Sequence, residues 1–285
     1  MPFKMFQEKS QPEGISGVNH VIAIAAGKGG VGKSTVTVNL AHALKKMGFA
    51  VGVMDTDIYG PSIRKMLPED RLPSQKGETI IPALSSGIKM ISMAYFRREN
   101  EAAAVRAPIA NGVVTQFVKQ VEWGKLDFLL IDFPPGTGDI QLTLAQQANL
   151  RGAIMVTTPQ DVAVLDVRKA MHLFEQVNIP IIGVIENMSY YHHLKTDEML
   201  YLFGKGGGER LSRERGVPFL GQIPIDCSLS VAGDTGLSLF NGDGQQSIVV
   251  RVFMLLAEQL QSQSELVKQS NGKMLQNFEL IWKDM

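Results

Sequence analysis

The segment from His20 to Met47 reads HVIAIAAGKGGVGKSTVTVNLAHALKKM, and it narrows the possible folds more than any other part of the chain. His20–Ala26 is an apolar run of strand length. Lys33–Met47 has apolar residues at helical spacing and stops at Gly48, a helix C-terminal signal. Between them lies Gly27-Lys28-Gly29-Gly30-Val31-Gly32-Lys33-Ser34-Thr35, which fits G-x-x-x-x-G-K-[ST] in the strand–loop–helix setting that the motif requires. Glycines let the backbone curl so that successive N–H groups point at phosphate oxygens, and the following helix adds its partial positive charge. Lys33 is expected at the β- and γ-phosphates, Ser34 on Mg2+, and Thr35 near the α-phosphate of a nucleotide.

Other apolar runs of strand length follow at Ala50–Asp55, Leu126–Asp132, Gly152–Thr157, Ile179–Glu186 and Pro218–Ile223. Helical patterns separate them at Ile109–Val121, Ile140–Asn149, Val162–Val177 and Gly206–Arg215, and Ser247–Val267 reads as a final helix. Strands written as unbroken Val/Ile/Leu runs are buried on both faces. The pattern therefore predicts an α/β P-loop NTPase fold, a mostly parallel central sheet flanked by helices on both faces. Ser62–Ala104 is rich in Pro, Ser and charge and reads as irregular, with one strand near Ile88–Ala94. The expected division is a flexible lead-in over 1–18, one ATPase domain over 19–271 and a loosely attached tail over 272–285.

Charge and cysteine usage limit the function classes. The 28 basic residues equal the 28 acidic ones, so the chain lacks the basic excess of a non-specific nucleic-acid binder. Cys227 is the only cysteine; no intrachain disulfide can form, and its expected role is a small packed residue. No apolar run reaches the length of a membrane span, and the opening MPFKMFQEKSQPEG has no apolar signal-peptide core. The expectation is a cytoplasmic protein with no nucleic-acid or membrane partner.

Two acidic strand ends extend the phosphate loop. Asp55-Thr56-Asp57 closes the second strand, and Asp132 follows Leu-Leu-Ile in the style of a Walker B strand. Phosphoryl transfer needs Mg2+ held in place and a water in line with the γ-phosphate. Asp132 suits the metal and Asp57 the water; each, taken singly, is also an ordinary turn residue. Asp139 has a structural job as N-cap of the helix that follows it. The early lysine in K-G-G-x-G-K-[ST] resembles the deviant Walker A loop of the MinD/ParA/nitrogenase-reductase class. That resemblance implies a face-to-face homodimer in which Lys28 reaches the partner's nucleotide. The alternative is a solvated lysine.

Longer stretches carry a narrower resemblance: DTDIYGPS (Asp55–Ser62), WGKLDFLLIDFPPGTGD (Trp123–Asp139), TTPQDVAVLDVRKA (Thr157–Ala170), GVIENMSYY (Gly183–Tyr191), FGKGGGERLSRERGVPFLGQIPID (Phe203–Asp226) and AGDTGLS (Ala232–Ser238). Together, from about Val18 to about Leu256, they resemble the Mrp/ApbC family of P-loop ATPases, iron–sulfur cluster carriers or scaffolds. The resemblance implies that Asn187 hydrogen-bonds adenine and that Pro224–Asp226 borders the base; strand-end turn roles remain open for Asn187 and Asp226. It also implies a cluster held by a CxxC after the NMS-aromatic stretch, two thiolates from each subunit. Here those two positions are His193 and Thr196. Thr196 is a poor cluster ligand, and one histidine per subunit cannot replace four thiolates. No iron–sulfur ligand is identified in this chain, and metal binding by His192 and His193, with Asp197 and Glu198 nearby, stands beside an exposed loop or dimer surface.

Three readings compete. The first is an ATP-hydrolysing switch that carries or delivers iron–sulfur clusters to apoproteins. The second is a nucleotide-dependent adaptor or regulator of a cluster-binding partner. The third is a ParA/MinD-like positioning ATPase, disfavoured by the PPGTGD and GKGGGERL wording, by the even charge balance and by the few positive charges of the Ser247–Val267 helix.

Overall fold

The computed structural model describes residues 15–58, 60–96, 107–193, 195–241 and 247–283. The strands are, in chain order, β1 (Val18–Ala25), β2 (Val51–Asp55), β3 (Ser74–Lys76), β4 (Thr79–Ile81), β5 (Ala83–Ser85), β6 (Ile88–Ser92), β7 (Leu126–Asp132), β8 (Gly152–Thr157), β9 (Ile181–Glu186), β10 (Tyr191–His193), β11 (Glu198–Leu200) and β12 (Phe219–Gln222). The helices are α1 (Lys33–Lys46), α2 (Ile63–Met66), α3 (Ala107–Gln120), α4 (Asp139–Gln147), α5 (Asp161–Gln176), α6 (Gly207–Arg215), α7 (Cys227–Thr235) and α8 (Ile248–Lys283).

Successive side chains of a strand point to opposite faces. Along β1, Val21, Ala23 and Ala25 join one apolar cluster, and Ile22 and Ile24 join the other. A strand buried on both sides needs helices on both sides. Val36, Leu40 and Leu44 of α1 and Phe253, Leu256 and Leu260 of α8 cover one face. Phe117 of α3, Leu144 of α4 and Val167, Met171 and Phe174 of α5 cover the other. Each such buried side chain contributes about 2 kcal/mol of transfer free energy.

One eight-stranded sheet runs in the order β12-β9-β8-β1-β7-β2-β6-β5. Every neighbouring pair is parallel except β5–β6. The predicted α/β P-loop NTPase architecture is the one observed. The order reverses around β1, and at such a switch point the loops after the strands splay apart and leave a crevice at the strands' C-terminal ends.

The structure departs from the sequence reading at several boundaries. Ile15 is buried in the core and Val18 pairs with Leu126, so the folded unit begins before residue 19; residues 1–14 of the expected lead-in lie outside the described residues. The region read as irregular holds α2 and the short strands β3 to β5 in addition to the expected β6; its residues 97–104 are outside the described set. The final helix does not stop at Val267 but continues to Lys283. Asp139 is the first helical residue of α4, and Gly138 takes the N-cap position expected for it. Cys227 is exposed at the start of α7 rather than packed.

Candidate nucleotide site

Gly27 follows β1 and lies against α5 so closely that a Cβ there would sit 2.1 Å from the Asp166 carbonyl carbon and 2.3 Å from the Val167 nitrogen. The contact fixes the loop's entry and excludes any side chain. Gly30 and Gly32 turn the loop through left-handed φ values of 83° and 81°, a conformation that favours glycine. Gly32 is then the N-cap of α1, with Lys33 the first helical residue.

The head of Lys33 turns back under the loop. Its Nζ lies 2.7 Å from Asp132 Oδ2, with both side chains buried. Ser34 Oγ donates to the same Asp132 oxygen at 2.7 Å, and Thr37 Oγ1 donates to Asp132 Oδ1 at 2.8 Å. Asp132 stands beside Asp55 in register on the adjacent strand. Burial first, and the Asp132 carboxylate second, push the Asp55 carboxyl up to about 7. Asp55 accepts from Ser92 Oγ at 2.7 Å and from the Asp57 backbone N–H at 3.1 Å.

Above these groups, a cavity of about 220 Å3 is lined by the loop from Lys28 to Thr35 together with Asp57 and Pro135. Asp57 lies past the end of β2, in the turn it holds by accepting from the Gly60 N–H at 3.1 Å. A second cavity of about 300 Å3 adjoins, sharing Gly32 and Thr35 with the first and lined by Asn187, Met188, Phe203, Pro224, Ile225 and Asp226. Asn187 Nδ2 donates to the Val31 carbonyl at 2.9 Å, which ties the end of β9 to the loop. Asp226 caps α7 by accepting from the Ser228 N–H at 2.8 Å. A larger cavity of about 530 Å3 lies at the opposite end of the sheet, between the C-termini of α4 and α5. Its lining is apolar side chains and neutral amides, so it offers no charge to an anion.

The structure therefore brings together Lys28, Gly29, Gly30, Val31, Gly32, Lys33, Ser34, Thr35 and Asp57 around one cavity, with Gly27 at the loop's entry and Asp132 buried against Lys33 and Ser34, and Asn187 and Asp226 around the adjoining one. Sequence reasoning missed Asp55. It also missed Glu186, fully buried, which accepts from the Gly208 N–H at 2.7 Å, from Gln222 Nε2 at 3.2 Å and from Ser189 Oγ. Both acids end apolar runs, and that was the only available signal.

The segment where the resemblance implies two cysteines is a small hairpin. β10 and β11 pair antiparallel, and Thr196 Oγ1 lies 2.8 Å from His193 Nδ1 and donates to Glu198 Oε2 at 3.1 Å. His192 Nε2 is 2.6 Å from Asp197 Oδ1. Among the described residues no group of three or more His, Cys, Asp or Glu side chains is placed to hold a metal ion. Among them, too, no helix is long and apolar enough to cross a membrane.

The fold and the loop define a P-loop NTPase. Residues 17–261 match the family described as NUBPL iron-transfer P-loop NTPase, within the ParA group, and the chain belongs to that family. An iron-sulfur cluster carrier protein of Methanocaldococcus jannaschii is 47% identical over 237 residues, covering 82% of this chain and 82% of the relative. One from Synechocystis is 45% identical over 241 residues, covering 82% of this chain and 68% of the relative. A solved nucleotide-binding protein from Archaeoglobus fulgidus, in complex with ADP, is 37% identical with a TM-score of 0.69, covering 81% of this chain and 92% of that one.

Proposed function

We propose that this chain is a Mg2+-dependent ATPase acting in iron–sulfur cluster delivery, a single ATPase domain whose folded part begins by Ile15 and which works in the cytoplasm as a homodimer. One observation carries the nucleotide half: Lys33 and Ser34 converge on a single oxygen of Asp132 beneath the loop cavity. The loop N–H groups from Gly27 to Thr35 would hold the phosphate chain. Lys33 would leave Asp132 for the β- and γ-phosphate oxygens, and Lys28 would reach the nucleotide of the partner subunit. A hydroxyl and a buried carboxylate are the hard oxygen donors that suit Mg2+, so Ser34 and Asp132 would hold it. Bound there, the ion would neutralise charge on the phosphates. Asp57 at the cavity wall would orient the attacking water. Asn187 spends one N–H on Val31, leaving its other N–H and its Oδ1 for a purine edge; Asp226 would border the base.

Turnover measurements on Lys33→Ala and Asp57→Ala test this half. Loss of about 100-fold or more in each is expected; wild-type rates in both would sink the assignment.

The iron–sulfur cargo comes from the family's relatives, and the hairpin donors do not fit a four-thiolate cluster. His193 Nδ1 lies against Thr196 Oγ1, which also donates to Glu198, and the sole thiol, Cys227, is on α7. That observation favours a second form of the reading, in which the chain is a nucleotide-dependent adaptor for a partner that supplies the thiolates to a client or assembly complex. Anaerobic reconstitution with iron and sulfide separates the two. A stoichiometric cluster on the purified protein supports carriage by this chain; turnover without a cluster supports the adaptor.

A further inference from the structure

The hairpin is bracketed by the nucleotide site. Asn187 lies four residues before β10 and Phe203 three residues after β11, and both line the same 300 Å3 cavity. The segment that carries Phe203 is pinned from beyond it. Gly204 has a left-handed φ of 92° and Gly206 one of 71°. A Cβ on Gly207 would lie 2.3 Å from the Pro159 carbonyl oxygen, and the Gly208 N–H is held by Glu186. Those glycines bring the backbone hard against Pro159 and the end of β9. Phe203 is left 40% exposed at the cavity wall. An aromatic ring half in water beside an open cavity gains by covering its surface with a flat apolar group, and an amide on the same wall supplies the in-plane hydrogen bonds that such a ring lacks.

We propose that Phe203 is the aromatic wall of the base pocket, so that a bound purine touches both stems of the hairpin carrying His193 and Thr196 and sets its position. The inference rests on the nucleotide reading above and adds its base-stacking element and its link to the hairpin. The phosphates and the base then do separate work: the loop reads the first, and the hairpin stems read the second. Base stacking on an aromatic side chain is sequence-tolerant and is lost when the ring is removed.

The test titrates the full chain with ADP and, separately, with tripolyphosphate, which occupies the phosphate cavity without a base. Phe203→Ala is expected to weaken ADP roughly 10-fold and leave tripolyphosphate unchanged, while Phe203→Trp retains ADP affinity. In the wild type, ADP but not tripolyphosphate slows amide exchange across residues 198–204, and Phe203→Ala loses that protection. Equal weakening of both ligands would mean that the ring only supports the fold, and overturns the inference. So does ADP binding by Phe203→Ala at wild-type strength, or a defect confined to self-association. Failure of the wild type to bind ADP removes the nucleotide reading itself and the inference with it.

Discussion

Lys33 Nζ lies 2.7 Å from Asp132 Oδ2, a buried ion pair that occupies the lysine before any phosphate arrives. Removing one partner of such a pair strands the other. Lys33→Met leaves Asp132 beside Asp55 with no cation, so the nucleotide-free protein should lose about 3 kcal/mol of stability. Urea unfolding of wild type and variant without nucleotide measures it, and a loss below the error of the method would show that Asp132 does not need the lysine.

Asp55 gives a pH dependence of definite sign. Its folded carboxyl is raised from 3.8 to about 7, so the folded chain binds the proton more tightly than the unfolded chain does. Its contribution to stability therefore falls as pH rises from about 4 to about 7 and is flat above. Asp55→Asn keeps one acceptor for the Asp57 N–H, while its Nδ2 can donate to Ser92 Oγ in place of the bond the carboxylate accepts, and it should remove this slope. Asp55→Ala loses both bonds and should cost about 2 kcal/mol, read by urea unfolding at pH 5 and pH 8.

His42 works in the opposite direction. Burial, with Lys45 adding to it, lowers the imidazole from 6.5 to about 4, where it stacks on Phe240. The unfolded chain takes up the proton first, so this stability is intact above about pH 6.5 and is lost as pH falls towards 4. The two slopes overlap and partly cancel in the wild type. His42→Gln should unmask the Asp55 slope and Asp55→Asn the His42 slope; parallel profiles in the two variants would refute both assignments.

Lys28 lines the same cavity as Lys33 and Asp57. If it acts across a dimer, turnover per chain rises with protein concentration in the wild type and stays low at all concentrations in Lys28→Ala. A concentration-independent rate, equal in both proteins, would remove the trans role.

Within one loop, two glycines should respond oppositely to alanine. Gly27→Ala drives a Cβ into the backbone of α5, whereas nothing lies within 4 Å of a Cβ at Gly29. The first should lower the melting temperature by about 5 °C, roughly a 3 kcal/mol effect; the second should leave it within about 1 °C.

The inner strands were legible because burial on both faces leaves an unbroken apolar run; β1, β2, β7, β8 and β9, with the half-buried edge strand β12, all lie within two residues of the reading. The exposed pieces had no such mark. All three residues of β3 and of β11 face solvent, so their pairing leaves no alternation in the sequence. The phosphate loop was legible because its chemistry is local. Asp55 was not: DTD offers two acids one residue apart, and only the sheet register shows that the first points at Asp132 while the second lines the cavity. The same limit hid the exposure of Cys227, which depends on how α7 sits against its neighbours.

Cys227 has a practical consequence. It is the chain's only thiol, it is exposed, and it is the next residue after Asp226 on the wall of the base-side cavity. A maleimide dye added to the unaltered protein finds one thiol only, next in sequence to the cavity residue Asp226 rather than on the hairpin. The chain thus comes with its own reporter position: one label, with no cysteines to remove first, gives a signal for occupancy that leaves His193 and Thr196 untouched.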